Sequence, residues 1–410
     1  MKVQFRIIAA LSLVMTGFMA FASTPQAVNV IKFGDAKTLF VGDSKSATLY
    51  AYTIASSENA TAQQGYNIHD LSQKIATFSK ISPLDILIRD MAINPANKEA
   101  YIAFDTKTKS GYLSQIIIVN QSGEIREFDL RKTTHTEVKL TDAPTSDFKY
   151  WDKTSMRSFT FTDIDLHKGK VYISGMSNAE FSSALRMVDF PFNDSKVSTT
   201  SVEIFHAVHG QMETRAPIQT LTFVTLEDRD YILAAYTCTP LVLIPVKDLK
   251  DGAHIVGKTI AEMGYGNTPI DIIKFKSAGM DKVPYEGIIL SNKNKSAQFI
   301  NLNDIKESNK AASIGYVGIG EAGTARTTLP LTNLLQLDDQ DDYHITTIKR
   351  NPDNGSLELL SYLKNVYFRL DEFVSEYDQP SYIYEGQQMQ SKTFQNMIIQ
   401  DIDKTKFIKK

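Results

Sequence analysis

One phrase recurs along the chain and limits what it can fold into. A polar residue opens a short, mostly apolar run, a turn follows, and a second apolar run answers it. The phrase stands as NVIKF at Asn29, DMAIN at Asp90, DIDLH at Asp163, TLTFV at Thr220, DIIKF at Asp271 and NLLQL at Asn333. Its partners are TLFVGDS, EAYIAFD, KVYISGM, DYILAAY, YEGIILS and DYHITTI. Runs this short, bounded by turn residues and lacking helical periodicity, predict strands rather than helices. Further runs follow in most units, such as SQIIIVN and EIREFDL after Asp90, so each unit reads as four strands.

A four-stranded unit repeated about every fifty to seventy residues is the pattern of a β-propeller, in which each unit buries its faces only against its neighbours. The chain is therefore expected to be all-β, a β-propeller of four-stranded blades. Six units are counted, and the tail after Asp371 is available for a seventh, partial one. A pair of β-sandwiches with coincidental spacing is the alternative, and the repeated strand order disfavours it. Blades are too small to fold alone, so residues 23–410 are read as a single domain with a C-terminal tail from about 371.

Residues 1–22 read differently. Lys2 and Arg6 precede an apolar run from Ile7 to Phe21, and Ala20-Phe21-Ala22 has the small-x-small pattern of a cleavage site. This is the form of a secretory signal peptide, cut after Ala22. The expected location is periplasmic or secreted, and no later run is long and apolar enough to span a bilayer. Without Lys2 and Arg6 the formal net charge moves from −3 to −5. No basic stripe is present, which argues against nucleic acid as a partner. The single cysteine, Cys238, excludes an intrachain disulfide.

In a propeller the first strand of each blade lines a central channel, and the entry loops share one face with the turns between second and third strands. Arg89, Arg157, Asn267 and the stretch His206 to Arg215 fall in entry loops; Asn178 and Cys238 fall in the turns. Asp90, Asp163 and Asp271 stand where inner strands begin. A mouth lined by such groups is the default place for a ligand, and Arg157, Asn178, Cys238, Asn267, Asp90, Asp163 and Asp271 are the candidate ligand-binding residues. The aspartates can equally hold a neighbouring blade's backbone, and Cys238 can be a small strand-end hydrophobe. The run Asp338 to Asp342 lacks the glycine and distal glutamate of an EF-hand loop and reads as a solvated hairpin turn.

SVEIFHAVHGQMETRAPI, Ser201–Ile218, carries the sharpest chemistry. His206, His209 and Glu213 could form a two-histidine, one-carboxylate set for zinc, copper or iron. On a continuous strand residues three apart face opposite ways, so the set needs Gly210 and its neighbours to break the strand. Otherwise the histidines tie the loop in place and Glu213 pairs with Arg215 or Arg157.

The pattern H-x-x-H-G-x-x-E-T-x-A-P-I at His206–Ile218 resembles a family of exported bacterial β-propeller proteins, within the broad quinoprotein-dehydrogenase-like propeller group. So do Ser177-Asn178-Ala179-Glu180-Phe181 with Phe190-Pro191-Phe192, Ala235-Tyr236-Thr237-Cys238-Thr239-Pro240-Leu241, and Gly266-Asn267-Thr268-Pro269-Ile270-Asp271. The resemblance covers Val28 to about Asn303. It implies fold and export and carries over no catalytic residue. The Cys-x-x-Cys-His motif that attaches haem is missing from the sequence. Three functions are therefore expected in parallel. One is a ligand- or metal-binding propeller, an oxidoreductase or its accessory. The second is a non-enzymatic scaffold for another exported protein. The third is a lactonase-like hydrolase with calcium held by the channel aspartates.

Overall fold

The computed structural model describes residues 23–55, 64–109, 111–150, 152–193, 196–278, 284–318 and 320–364. The leader read at residues 1–22 and the tail read from about 371 lie outside them. Among the described residues no helix is long and apolar enough to cross a membrane.

The chain is all-β in a propeller-like arrangement. Four sheets have four strands each, and a fifth has ten. The ten-stranded sheet runs outward from inner strand Asp163–His167 to Val197–His206. It crosses there by a parallel pairing to His254–Glu262, then runs inward to Ile218–Leu226. The six recurrent phrases coincide with inner strands: Val30–Asp35, Ile86–Ile93, Asp163–His167, Ile218–Leu226, Pro269–Ala278 and Leu334–Asp339.

These inner strands touch in a closed circuit. From Ile86–Ile93 it passes to Val30–Asp35, then to Asp163–His167, Ile218–Leu226, Pro269–Ala278 and Leu334–Asp339, and back. The first sheet therefore sits between the second and the third, so spatial order departs from chain order. Two outer strands follow from this. His135–Lys139, which comes after the second sheet in the chain, completes the first. Asn67–Ile68, which comes before the second, completes the last. The expectation that each unit's strands follow one another in sequence fails at these two places.

Each neighbouring pair of sheets shares an apolar core, and inner-strand residues alternate between the two cores they touch. Ile272 packs with Leu233, Leu243 and Leu290 on one side. Ile273 packs with Leu337 and Ile345 on the other. An inner strand buried on both sides carries adjacent apolar residues instead of strict alternation, which is why the recurrent phrase reads as a short apolar run.

Candidate functional site

The inner strands are stitched by side chains that accept backbone N–H groups across the circuit. Asp90 Oδ2 accepts from Ile31 at 2.7 Å, Asp163 Oδ2 from Leu221 at 2.8 Å and Thr220 Oγ1 from Ile272 at 3.0 Å. Asp271 Oδ2 accepts from Leu337 at 2.7 Å, and Asp338 Oδ2 from Ile93 at 2.8 Å. The aspartates surround a cavity of about 20 Å³ in the channel, which Lys32 also lines, room for about one water.

The ring departs from the sequence reading in several places. Asp338 is no part of a solvated hairpin turn: it lies in the inner strand Leu334–Asp339, facing the channel. The polar residue read as opening that strand, Asn333, is exposed with φ 57°, outside the ring. Asn29 likewise caps a turn, accepting from Ser44 N. Lys32 has one counterpart among the phrases, Lys274 of DIIKF, which does not line this cavity, and it was not singled out by its pattern.

Burial, then the charge of Asp163, pushes the Asp90 carboxyl up to about 8, against the Ile31 amide. Burial also raises Asp163 to about 6, with Lys32 opposing. Burial and the charge of Asp90 hold Asp271 well above the usual carboxylate range. For Lys32, burial works against the ammonium, but Asp338, Asp165, Asp163 and Asp90 outweigh it and hold the group above its ordinary value.

The histidine stretch sits elsewhere. The strand Val197–His206 keeps Val202, Ile204 and His206 on its buried face. A tight turn follows, in which His206 O accepts from His209 N at 3.1 Å and Gly210 N at 2.9 Å. Gly210 takes φ 67°, a left-handed geometry that glycine adopts without penalty. The chain then pairs back along Gln211–Glu213, with Glu213 opposite Ile204. Paired residues share a face, so Glu213 lies diagonally next to His206. His209, in the turn, folds over both.

The result is a three-residue cluster. His206 Nδ1 and His209 Nδ1 each lie 2.9 Å from Glu213 Oε1, and the imidazole centroids are 4.1 Å apart. One donor atom from each residue falls within 4.8 Å of the other two. His206 Nε2 is 2.8 Å from Thr239 Oγ1. His206 is 2 % exposed, whereas half of the His209 side chain reaches solvent. Burial works against the His206 imidazolium, but hydrogen bonds to Cys238 and Glu213 and the charges of Glu213 and Glu262 raise it to about 9. The His206 hydrogen bond in turn lowers Glu213 to about 2.

This cluster stands at the ends of outermost strands. The sequence reading puts it across the channel mouth, near Cys238 and the inner-strand aspartates. Cys238 is beside it, together with Thr239 and Glu262, the last residue of the strand His254–Glu262, but the aspartates are not. Glu213 pairs with the two histidines rather than with an arginine. Of the other candidate residues, only Cys238 and Asn267 are beside the cluster. Asn267 Nδ2 donates to Cys238 O at 2.5 Å, and Cys238, exposed, takes φ 76°. Arg157 holds backbone oxygens of Ser44, Lys45 and Pro144 near the first sheet. The Asn178 backbone N–H donates to Asp142 O, and its side chain is exposed. Asp90, Asp163 and Asp271 belong to the channel. A larger cavity, about 590 Å³, lies at the far ends of the inner strands by Phe223, Lys274, Phe275 and Lys364 and includes none of the candidate residues.

No family model matches the chain. No curated protein matches it. Solved structures do, at low identity. A chain from the complex of Drosophila plexin A with semaphorin 1b is 10 % identical, covering 83 % of this chain and 88 % of that one, with a TM-score of 0.35. Trypanosoma rangeli sialidase in complex with sialic acid is 7 % identical over 86 % of this chain and 48 % of that one, TM-score 0.32. Dihydro-heme d1 dehydrogenase NirN is 7 % identical over 82 % and 57 %, TM-score 0.28.

Proposed function

We propose that the protein is an exported six-bladed propeller that binds one divalent transition metal ion, zinc, copper or iron, on its rim through His206, His209 and Glu213. In this reading the ten-stranded sheet is two blades joined along their outer strands. The observation that carries the metal site is the convergence of two imidazole nitrogens and a carboxylate oxygen within 4.8 Å. Such a donor set suits borderline metals. Thr239 supports it: with its hydroxyl accepting from His206 Nε2–H, Nδ1 is the nitrogen that would ligate once a metal displaces the proton it shares with Glu213. The solvent-facing side of His209 leaves room for an outer ligand, and a bound metal would supply Lewis-acid chemistry there.

Calcium in the channel is the weaker reading. The Lys32 ammonium already stands among the carboxylates that would hold the ion. The metal content of protein purified from the exported fraction, beside a His206→Ala/His209→Ala variant, separates the readings. One equivalent of metal, lost in the variant, supports the rim site. Calcium kept by both would favour the channel, and no metal in either would leave a scaffold that presents its loops to another exported protein.

A further inference from the structure

Glu262 is the last residue of the strand His254–Glu262 and is 0 % exposed. Its Oε1 accepts from Ala207 N, the residue after His206, at 2.7 Å. Its Oε2 has no hydrogen-bond partner among the described residues. Neither nearby cation bonds the carboxylate, and the buried Arg326 Nε also has no hydrogen-bond partner among the described residues. Arg326 Nη2 donates to the Glu262 carbonyl at 3.1 Å and to Glu321 Oε2 at 2.8 Å. Lys295 Nζ donates to Met263 O and to Glu321 Oε1. No ion pair of the Glu262 carboxylate occurs among the described residues.

A wholly buried carboxylate with a bare oxygen is costly unless a positive charge faces it. The hydrogen bond to Ala207 N places this carboxylate beside the His206 end of the cluster. Glu262 does not join the three donors within their 4.8 Å sphere, so it would act through its field rather than as a ligand. We propose that Glu262 is the buried counter-charge of the rim metal site, giving it two carboxylates and two imidazoles, a set neutralised by a dication. The inference rests on the metal reading and adds a residue from a different strand, about fifty positions away, that the histidine motif does not contain.

The test uses the full chain and zinc ion alone, titrated in chelator competition. Glu262→Gln keeps a carbonyl for Ala207 N and the side-chain volume but removes the charge. Zinc affinity should fall 10- to 100-fold, as for outer-shell partners generally, with the metal-free melting transition recorded to show that the variant folds. Glu262→Asp retains the charge and should stay within a few-fold of wild type. Equal zinc affinity in wild type and Glu262→Gln overturns this inference and leaves the rim site standing. So does an equal loss in Glu262→Gln and Glu262→Asp, which would report shape rather than charge. Failure of the wild-type protein to bind zinc overturns both.

Discussion

His206 and Glu213 are held 2.9 Å apart by a hairpin that puts them on one face of the sheet, and His206 is buried where Glu213 is only partly so. The pair ties the turn to the sheet with or without metal. Its contribution depends on pH at both ends. Glu213, lowered from 4.5 to about 2, contributes fully above about pH 4.5 and loses this as pH falls through 2. His206, raised from 6.5 to about 9, contributes fully below about pH 6.5 and loses this as pH rises through 9. Glu213→Gln should therefore cost most between about pH 4.5 and 6.5, on the order of 2 kcal/mol, and least at high pH. Denaturant melts of metal-free protein across pH check this; a cost independent of pH would contradict it.

The channel runs in the opposite sense. Asp90 at about 8 and Asp163 at about 6 are raised, so the native state binds more protons than the unfolded one above pH 4, and their effect lowers stability as pH rises toward 8. Lys32 offsets this with its positive charge. Lys32→Met should destabilise by roughly 3 kcal/mol at pH 8 and by less than half of that at pH 5, where the aspartates take up protons. Melts of the variant at the two pH values measure the difference, and equal losses would show that the ammonium is not the counter-charge of the ring.

Thr220 Oγ1 accepts the Ile272 amide and donates to Asp163 Oδ2, linking three inner strands. Thr220→Val keeps the shape and leaves the buried Ile272 N–H without its acceptor, at a cost of about 1–3 kcal/mol. Thr220→Ser keeps the hydroxyl and should recover most of it. Urea unfolding of both variants provides the comparison.

The inner strands could be read from the sequence because burial on two sides forces the same apolar run each time. The outer strands could be read only in part. The run EIREFDL marked Ile125–Glu127, but Asn67–Ile68 and Thr327–Thr328 are two residues long, too short for a periodic pattern. Which sheet an outer strand joins is a long-range choice, so the placement of His135–Lys139 on the first sheet leaves no local mark. Asp338 was hidden within an acidic run, and Lys32 within a phrase whose one charged copy, Lys274 of DIIKF, lines a different cavity. The histidine motif was visible, but its radial position was not: only the pairing of Glu213 opposite Ile204, and of Val197–His206 beside His254–Glu262, puts it on the rim. Glu262 carries no sequence signal at all.

The central claim is that the three side chains hold one metal ion. Crystals grown with zinc, and diffraction recorded above and below the zinc edge, test it most directly. One anomalous peak is expected about 2.0–2.2 Å from His206 Nδ1, His209 Nδ1 and a Glu213 carboxylate oxygen. No peak there, or a peak only among Asp90, Asp163, Asp271 and Asp338, would contradict it.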